Sequence, residues 1–347
     1  MDRVLVLADQ LADEPRGGRV EHPGGAELTD AAALRACPFP VEARRLADLR
    51  LEELARYDVI VLANAERARP EQLAALAASG RFVSFEHDLR ICRWRGNFPA
   101  AREPIHALSQ RCICPHHALA PVYEQARGVI FLTERQRRAF DENPYFETPP
   151  GVVLGSSLFE RAALERLTQL AEGTQPRAGA LYLWAPHRIK GTEEARAYCE
   201  ERGLRSASVR NVAPTAVYEL MGGAETFVYL PIGLEPAGRM PVEARLAGCS
   251  VVVNSNVGVA GEAWWRAGRR DALEQLYQAP TRFWRAVEAF MNGPLRAASP
   301  FRRRGVRAVE AYVAACRRGN SWLPPLPPTA RVKRRARDLE ILSPWLP

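Results

Sequence analysis

The sequence contains no apolar run approaching the ~20 residues that a membrane-spanning helix needs. It has no Gly-x4-Gly-Lys-Ser/Thr loop, which argues against a P-loop ATPase. No Gly-x-Gly-x-x-Gly follows the first strand-like run, which argues against a nicotinamide dehydrogenase. No Asp-x-Asp pair occurs, so one common way of holding a metal-bound diphosphate is missing. Cysteine is sparse, seven in 347 residues and spread along the chain, so a disulfide-dense scaffold is excluded. Such cysteines read as reduced thiols of a cytosolic protein. The N-terminus, Met1-Asp2-Arg3 leading into a strand-like RVLVLA, lacks the layout of a signal peptide. One crowded cluster, Cys112-Ile113-Cys114-Pro115-His116-His117, has metal-ligand residue types. Structural zinc sites need a second, distant pair, so no metal is expected.

The chain is 47% apolar and 25% charged, as in ordinary globular proteins. At ~150 residues per domain, 347 residues imply two domains. The net charge of +8 is concentrated at one end. From Phe301 onward eleven Arg and Lys face three acids, a local excess equal to that of the whole chain. Such a segment either solubilises the protein or meets an anionic partner, a nucleic acid or an acidic membrane surface.

Short apolar runs alternate with helix-like stretches. Arg3–Ala8, Val59–Asn64, Phe82–Phe85 and Val129–Leu132 predict strands buried on both faces. Helices are predicted from Glu27 to about Cys37 and from Pro70 to Gly80, with proline first and glycine last. A Pro/Gly-rich stretch, Pro144 to Gly155, marks the expected domain boundary, and the rhythm then restarts. Ala180–Ala185, Thr226–Pro231 and Ser250–Asn254 predict strands, and Gly191–Gly203, Pro241–Ala247, Ala279–Met291 and Pro300–Arg318 predict helices. The fold class is therefore α/β, with parallel sheets covered by helices on both faces. Ligands in such folds bind beyond the carboxyl ends of the strands, here in the cleft between two facing domains.

The most informative stretch is LPIGLEPAGRMPVEARLAGCSVVVNSNVG, Leu230 to Gly258. Glu235 stands at the end of a strand, and Glu243 stands seven intervening residues later in the first turn of a helix. Free amides at a helix start favour phosphate, and Gly238 lets the backbone approach closely. Carboxylates accept from sugar hydroxyls, and amides donate to a diphosphate. In ALYLWAPHRIKGTEEA, Arg188 and Lys190 lie between a strand and a helix, where cations stabilise a leaving diphosphate. Gly24-Gly25 follow the first strand, and His87 and Asp88 end the third (FVSFEHD). Downstream, Arg93, Trp94 and Arg95 combine phosphate-binding and stacking side chains.

The stretch around Glu235 and Glu243 resembles the donor-binding motif of family 4 glycosyltransferases of the GT-B fold. The resemblance extends over most of the chain, with GVIFLTERQRRAF (from Gly128) like the family's last N-domain strand and helix and GVVLGSS (from Gly151) like its interdomain segment. It implies two Rossmann-like domains facing each other across a cleft. These are an acceptor-side domain over 1–150 and a nucleotide-sugar domain over 151–323, with the basic segment 324–347 packing back toward the first. It also implies a retaining, metal-independent hexosyl transfer from a nucleotide-sugar, of UDP type, with no cofactor. No protein nucleophile is agreed in the family, and front-face attack assisted by the leaving phosphate is the usual proposal.

Carried over residue by residue, the resemblance makes Glu235 the contact to the transferred sugar and Glu243 the ribose contact. Lys190 is then the diphosphate cation, and His87 a group near the sugar and the acceptor hydroxyl. Gly24, Gly25, Arg188, Gly238, Arg239 and Met240 complete the donor site. Arg188 departs from the family's spacing, since the family's arginine stands farther ahead of the lysine. Asp88, Arg93, Trp94 and Arg95 are placed on the acceptor side. A glycan or lipid-linked acceptor is the family default, and the basic segment adds hydroxymethylated bases in DNA. Such a protein is expected in the cytoplasm or at the inner membrane face. The competing reading is a non-catalytic nucleic-acid or membrane-surface binding protein on the same fold, which needs neither the acid pair nor Lys190.

Overall fold

The computed structural model describes residues 3–13, 22–65, 67–92, 125–143 and 148–293. The described residues form two wholly parallel sheets, one of six strands and one of four, each in a Rossmann-like lobe. The first contains β1 (Val4–Ala8), β2 (Val41–Arg45), β3 (Val59–Leu62), β4 (Phe82–Glu86), β5 (Val129–Phe131) and β6 (Gly151–Val153), in the order β2-β1-β3-β4-β5-β6. The second contains β7 (Ala180–Leu183), β8 (Ser206–Val209), β9 (Thr226–Tyr229) and β10 (Ser250–Val253), in the order β10-β9-β7-β8.

The helices are α1 (Gly25–Arg35), α2 (Pro70–Ser79), α3 (Glu134–Asp141), α4 (Arg161–Glu172), α5 (Thr192–Glu201), α6 (Pro214–Gly223), α7 (Arg239–Leu246) and α8 (Arg269–Asn292). The interior strands β1, β3 and β4 are fully buried along their length. Leu5 and Leu7 face one core of the first lobe, while Val4 and Val6 face the other. A strand sandwiched between helices must be apolar on both faces, which is why VLVLA and VIVL carry no alternation. In α2, proline starts the helix and Gly80 (φ 60°) ends it in the left-handed conformation.

The sheets do not divide at Gly151. Gly151–Val153, expected to open the second domain, pairs in parallel with β5 as the last strand of the first sheet. The second lobe's core starts at Phe159 and continues into α4 through Leu164 and Leu167. The helix expected from Ala279 starts at Arg269 and runs through Pro280. Its first half places Ala272 and Leu276 in the second lobe's core. Its second half places Phe283, Trp284 and Val287 in the first lobe's core, so one helix belongs to both. Trp284 Nε1 donates to the Ala33 carbonyl of α1 at 2.8 Å, and Arg127 donates to the carbonyls of Phe290, Met291 and Gly293 at the helix end.

Both sheets reverse their strand order once, between β1 and β3 in the first and between β7 and β9 in the second. Such a switch point opens a crevice, because the chain leaves the two central strands in opposite directions. The loop after β7 carries Lys190, and the loop after β9 carries Glu235. Among the described residues, no helix is long and apolar enough to cross a membrane.

Candidate functional site

A cavity of ≈ 350 Å³ lies over the second switch point, with walls from both lobes. The first lobe supplies His22 to Gly25 and Leu28. The second lobe supplies Lys190, Tyr229, Glu235, Glu243 and the loop-to-helix segment Gly238–Pro241. It also supplies an apolar wall of Leu183, Val209, Val212, Pro214 and Val217 beside Asn211. Lys190, Glu235 and Glu243, picked out from separate stretches of sequence, thus meet in one cleft opposite Gly24-Gly25.

The local backbone explains this convergence. Gly191 (φ 69°) sits where a Cβ would stand 1.9 Å from the Leu230 carbonyl oxygen. The loop after β7 therefore lies directly on the loop after β9, a contact only glycine permits. The Ile232 amide donates to the Ile189 carbonyl at 3.1 Å across the same contact. Glu235 itself is pinned by its backbone, since its amide donates to the Asn256 carbonyl (2.9 Å) and its carbonyl accepts from the Gly258 amide (2.8 Å). From the first lobe, the Thr133 hydroxyl donates to the Pro236 carbonyl at 2.5 Å.

Two ion pairs of different character line the cavity. Lys190 Nζ lies 2.5 Å from Glu235 Oε2, with side chains 34% and 18% exposed. The Tyr229 hydroxyl donates to the same oxygen at 2.8 Å. Among the described residues, Oε1 of Glu235 takes no hydrogen bond, so this carboxylate keeps an acceptor for a ligand. Burial pushes the Tyr229 phenol well above its ordinary value, reinforced by the Glu235 charge and by Asp88. Tyr229 therefore acts as a neutral donor, and Asp88 lies near enough across the cleft for its charge to be felt.

The second pair is closed. Arg239 Nε donates to Glu243 Oε1 at 2.7 Å, with side chains only 8% and 5% exposed. Arg239 also donates to the Leu158 carbonyl at 2.6 Å, and its guanidinium lies 4.2 Å from the Phe159 ring centre. Burial raises the Glu243 carboxyl, with Arg239 opposing. Gly25 packs on this pair, its Cβ position 3.6 Å from the Arg239 Cβ. Arg239, expected as a donor-binding residue, thus has its guanidinium engaged in orienting Glu243. The helix that carries both begins after Gly238 (φ 74°), which caps it without a side-chain hydrogen bond and leaves its first amides for an anion.

The remaining expected site residues divide. Gly24, Gly25, Gly238 and Met240 line the cavity, whereas Arg188 is exposed and does not. His87, expected to point into the cleft, is buried and lies 2.7 Å from Asp30 on α1 through Nε2. It does not line the cavity, because a buried carboxylate on the covering helix takes its ring instead. Arg93, Trp94 and Arg95, the Cys112–His117 cluster and the segments 300–318 and 324–347 lie outside the described residues. Among the described residues, no group of three or more His, Cys, Asp or Glu side chains is arranged to hold a metal ion. Tyr229 and the apolar wall were not singled out from sequence, since a tyrosine in a buried strand reads as core.

No family model matches the sequence, and the curated proteins give no match. Among solved structures, the chain is similar to Alr3699/HepE of Anabaena in complex with UDP and glucose. That likeness has 15% identity and a TM-score of 0.48 over 92% of this chain and 100% of that one. It is similar to sucrose-phosphate synthase of Thermosynechococcus elongatus, with 13% identity and a TM-score of 0.49 over 92% and 98%. It is also similar to an α-glucosyltransferase solved with UDP-glucose and DNA containing an abasic site, with 10% identity and a TM-score of 0.41 over 89% and 94%. At identities and TM-scores this low the chemistry has to be read from this chain's own side chains.

Proposed function

We propose that this protein is a GT-B glycosyltransferase that moves a hexose from a nucleoside diphosphate-sugar to an acceptor hydroxyl, with retention and without a metal. The observation that carries the proposal is the meeting of Lys190, Glu235 and Glu243 in one cavity at a switch point. In this reading the apolar wall takes the base, of UDP type, and Glu243 accepts from the ribose hydroxyls. Lys190 and the open amides at the start of α7 hold the diphosphate, where charge develops as the bond to the sugar breaks. Glu235 accepts from a sugar hydroxyl through Oε1 and faces the positive charge of the oxocarbenium-like sugar. The leaving phosphate assists the incoming hydroxyl on the same face. A binding module has no use for such a constellation.

The acceptor enters from the first lobe, past Asp88. A glycan or lipid-linked hydroxyl is the primary reading. The eleven cations after Phe301 favour a second, a hydroxymethylated base in DNA, which requires phosphate contacts.

The test is a transfer and hydrolysis assay with UDP-, GDP- and ADP-sugars. Activity is expected with one nucleotide, in the presence of a chelator, and lost in Lys190→Ala and Glu235→Ala with the thermal midpoint kept. Full turnover in either variant, or inactivity across all donors, rejects the proposal. The anomer formed reports retention, and duplex-DNA binding across a salt series separates the acceptors.

A further inference from the structure

The two ion pairs of the cavity cannot respond alike to an anionic ligand. Arg239–Glu243 is almost wholly buried at the cavity wall and braced by the Leu158 carbonyl and the Phe159 ring. A pair of that kind stays shut, because separating buried charges leaves both without compensation. Lys190–Glu235 sits at the cavity surface, partly exposed on both sides. A ligand's phosphate can therefore reach the ammonium from the cavity side, and the closer it draws Lys190 the more of that contact Glu235 gives up. Resting on the reading of the site as a sugar-nucleotide pocket, we infer that Glu235 is a resident anion competing with the diphosphate for Lys190. In consequence the site selects an intact sugar nucleotide over the nucleoside diphosphate left after transfer.

The selectivity follows from what Glu235 receives in exchange. When Lys190 turns to phosphate, Glu235 Oε2 keeps the Tyr229 hydroxyl, which holds the carboxylate in place. Its Oε1, without a protein donor among the described residues, then needs one from the ligand. An intact donor supplies sugar hydroxyls there. A nucleoside diphosphate supplies none, and its terminal phosphate carries an additional negative charge into the place of the sugar, facing the carboxylate. The same acid thus favours the substrate and disfavours the spent nucleotide, which speeds product release.

Calorimetric titration with UDP, GDP and ADP and their glucose conjugates tests this directly. Once the nucleotide that the wild type binds is known, Glu235→Gln is expected to bind the free diphosphate about tenfold more tightly, a difference of ~1.4 kcal/mol. The preference for the glucose conjugate over the free diphosphate should shrink by at least the same factor. The gain should vanish in the double variant Lys190→Ala/Glu235→Gln, since no ammonium is then released. If Glu235→Gln fails to fold, Glu235→Asp, which retracts the acid by one methylene, should show a smaller gain in the same direction. Equal or weaker diphosphate binding in these variants overturns the competition and leaves the sugar-nucleotide reading standing. A wild type that binds none of the six ligands overturns both.

Discussion

Gly191 sets the distance between the loops after β7 and β9, and Gly203 provides its control. Both have left-handed backbones, φ 69° and 63°. A Cβ on Gly203 would meet nothing within 4 Å, whereas one on Gly191 would stand 1.9 Å from the Leu230 oxygen and 2.9 Å from the Pro231 Cα. Gly203→Ala therefore incurs only the left-handed strain of an L-residue, ~1–2 kcal/mol, partly offset by ~0.4–1 kcal/mol of lost unfolded-state freedom. Gly191→Ala carries the same terms and must also force two backbones apart by more than an ångström. Its total is expected to exceed that of Gly203→Ala by at least about 2 kcal/mol, in the range of severe single substitutions. Because Lys190 is the preceding residue, its ammonium should also leave Glu235, weakening nucleotide-sugar binding about tenfold or more. Urea unfolding of the two variants, with a donor titration of each, decides the matter. Equal destabilisation by the two substitutions would refute the close approach of the loops and the placement of Lys190 that depends on it.

Further outcomes follow from the same geometry. Arg239→Met should lose ~3–5 kcal/mol by stranding the buried Glu243, and Arg239→Met/Glu243→Leu should recover most of it; a single variant within ~1 kcal/mol of wild type would show the pair to be wet. Burial pulls the His87 pKa down, but the Asp30 charge and hydrogen bond outweigh it, so the folded value lies above the ordinary one. The stability gained from this pair is present in full below about pH 6.5 and is lost as pH rises through the folded value. Urea midpoints of wild type and Asp30→Asn should therefore converge on going from about pH 6 to about pH 9, and a constant gap between them would remove the linkage. Tyr229→Phe should lower saturating-donor turnover about tenfold, the loss of one hydrogen bond to a charged group, with the fold intact; unchanged turnover would mean that Lys190 alone positions Glu235.

The interior of the fold was legible because burial on both faces leaves a plain mark. β1, β3, β4, β5, β7, β9 and β10 all fall within predicted strands, give or take a residue at the ends. The edges were not legible, for the converse reason. β2 (Val41–Arg45) is only partly buried throughout, and β8 (Ser206–Val209) is exposed except at Val209. Neither shows an apolar run, and VEARR is held by its parallel pairing with β1 and by ion pairs such as Arg3–Glu42. Three residues beside a Pro-rich stretch carry no period, so Gly151–Val153 reads as a linker rather than as β6. Pro280 reads as a helix opener, which is why the sequence places the start of α8 at Ala279 rather than at Arg269. Within the helix it costs one backbone hydrogen bond, and its ring is buried where the helix passes from one lobe's core to the other's.

At the site, the sequence reveals residue types and the fold decides what they are. Glu235 and Glu243 look equivalent in their motif, two acids seven residues apart. Their chemistry diverges through groups remote in sequence. Leu158, Phe159 and Tyr218 enclose the Arg239–Glu243 pair, and no local pattern around residue 243 announces them. Glu235 instead meets an ammonium from the loop after β7, and that meeting depends on β7 and β9 being neighbours in the sheet. Strand order is set by the packing of whole βα units, so a motif confined to one unit cannot encode it. His87 illustrates the same limit in reverse. Its place at a strand's carboxyl end pointed to the cleft, yet a single acid on α1, Asp30, turns it inward. Which acid is open to a ligand, and which histidine is not, is therefore a property of strand adjacency and helix cover rather than of the motifs themselves.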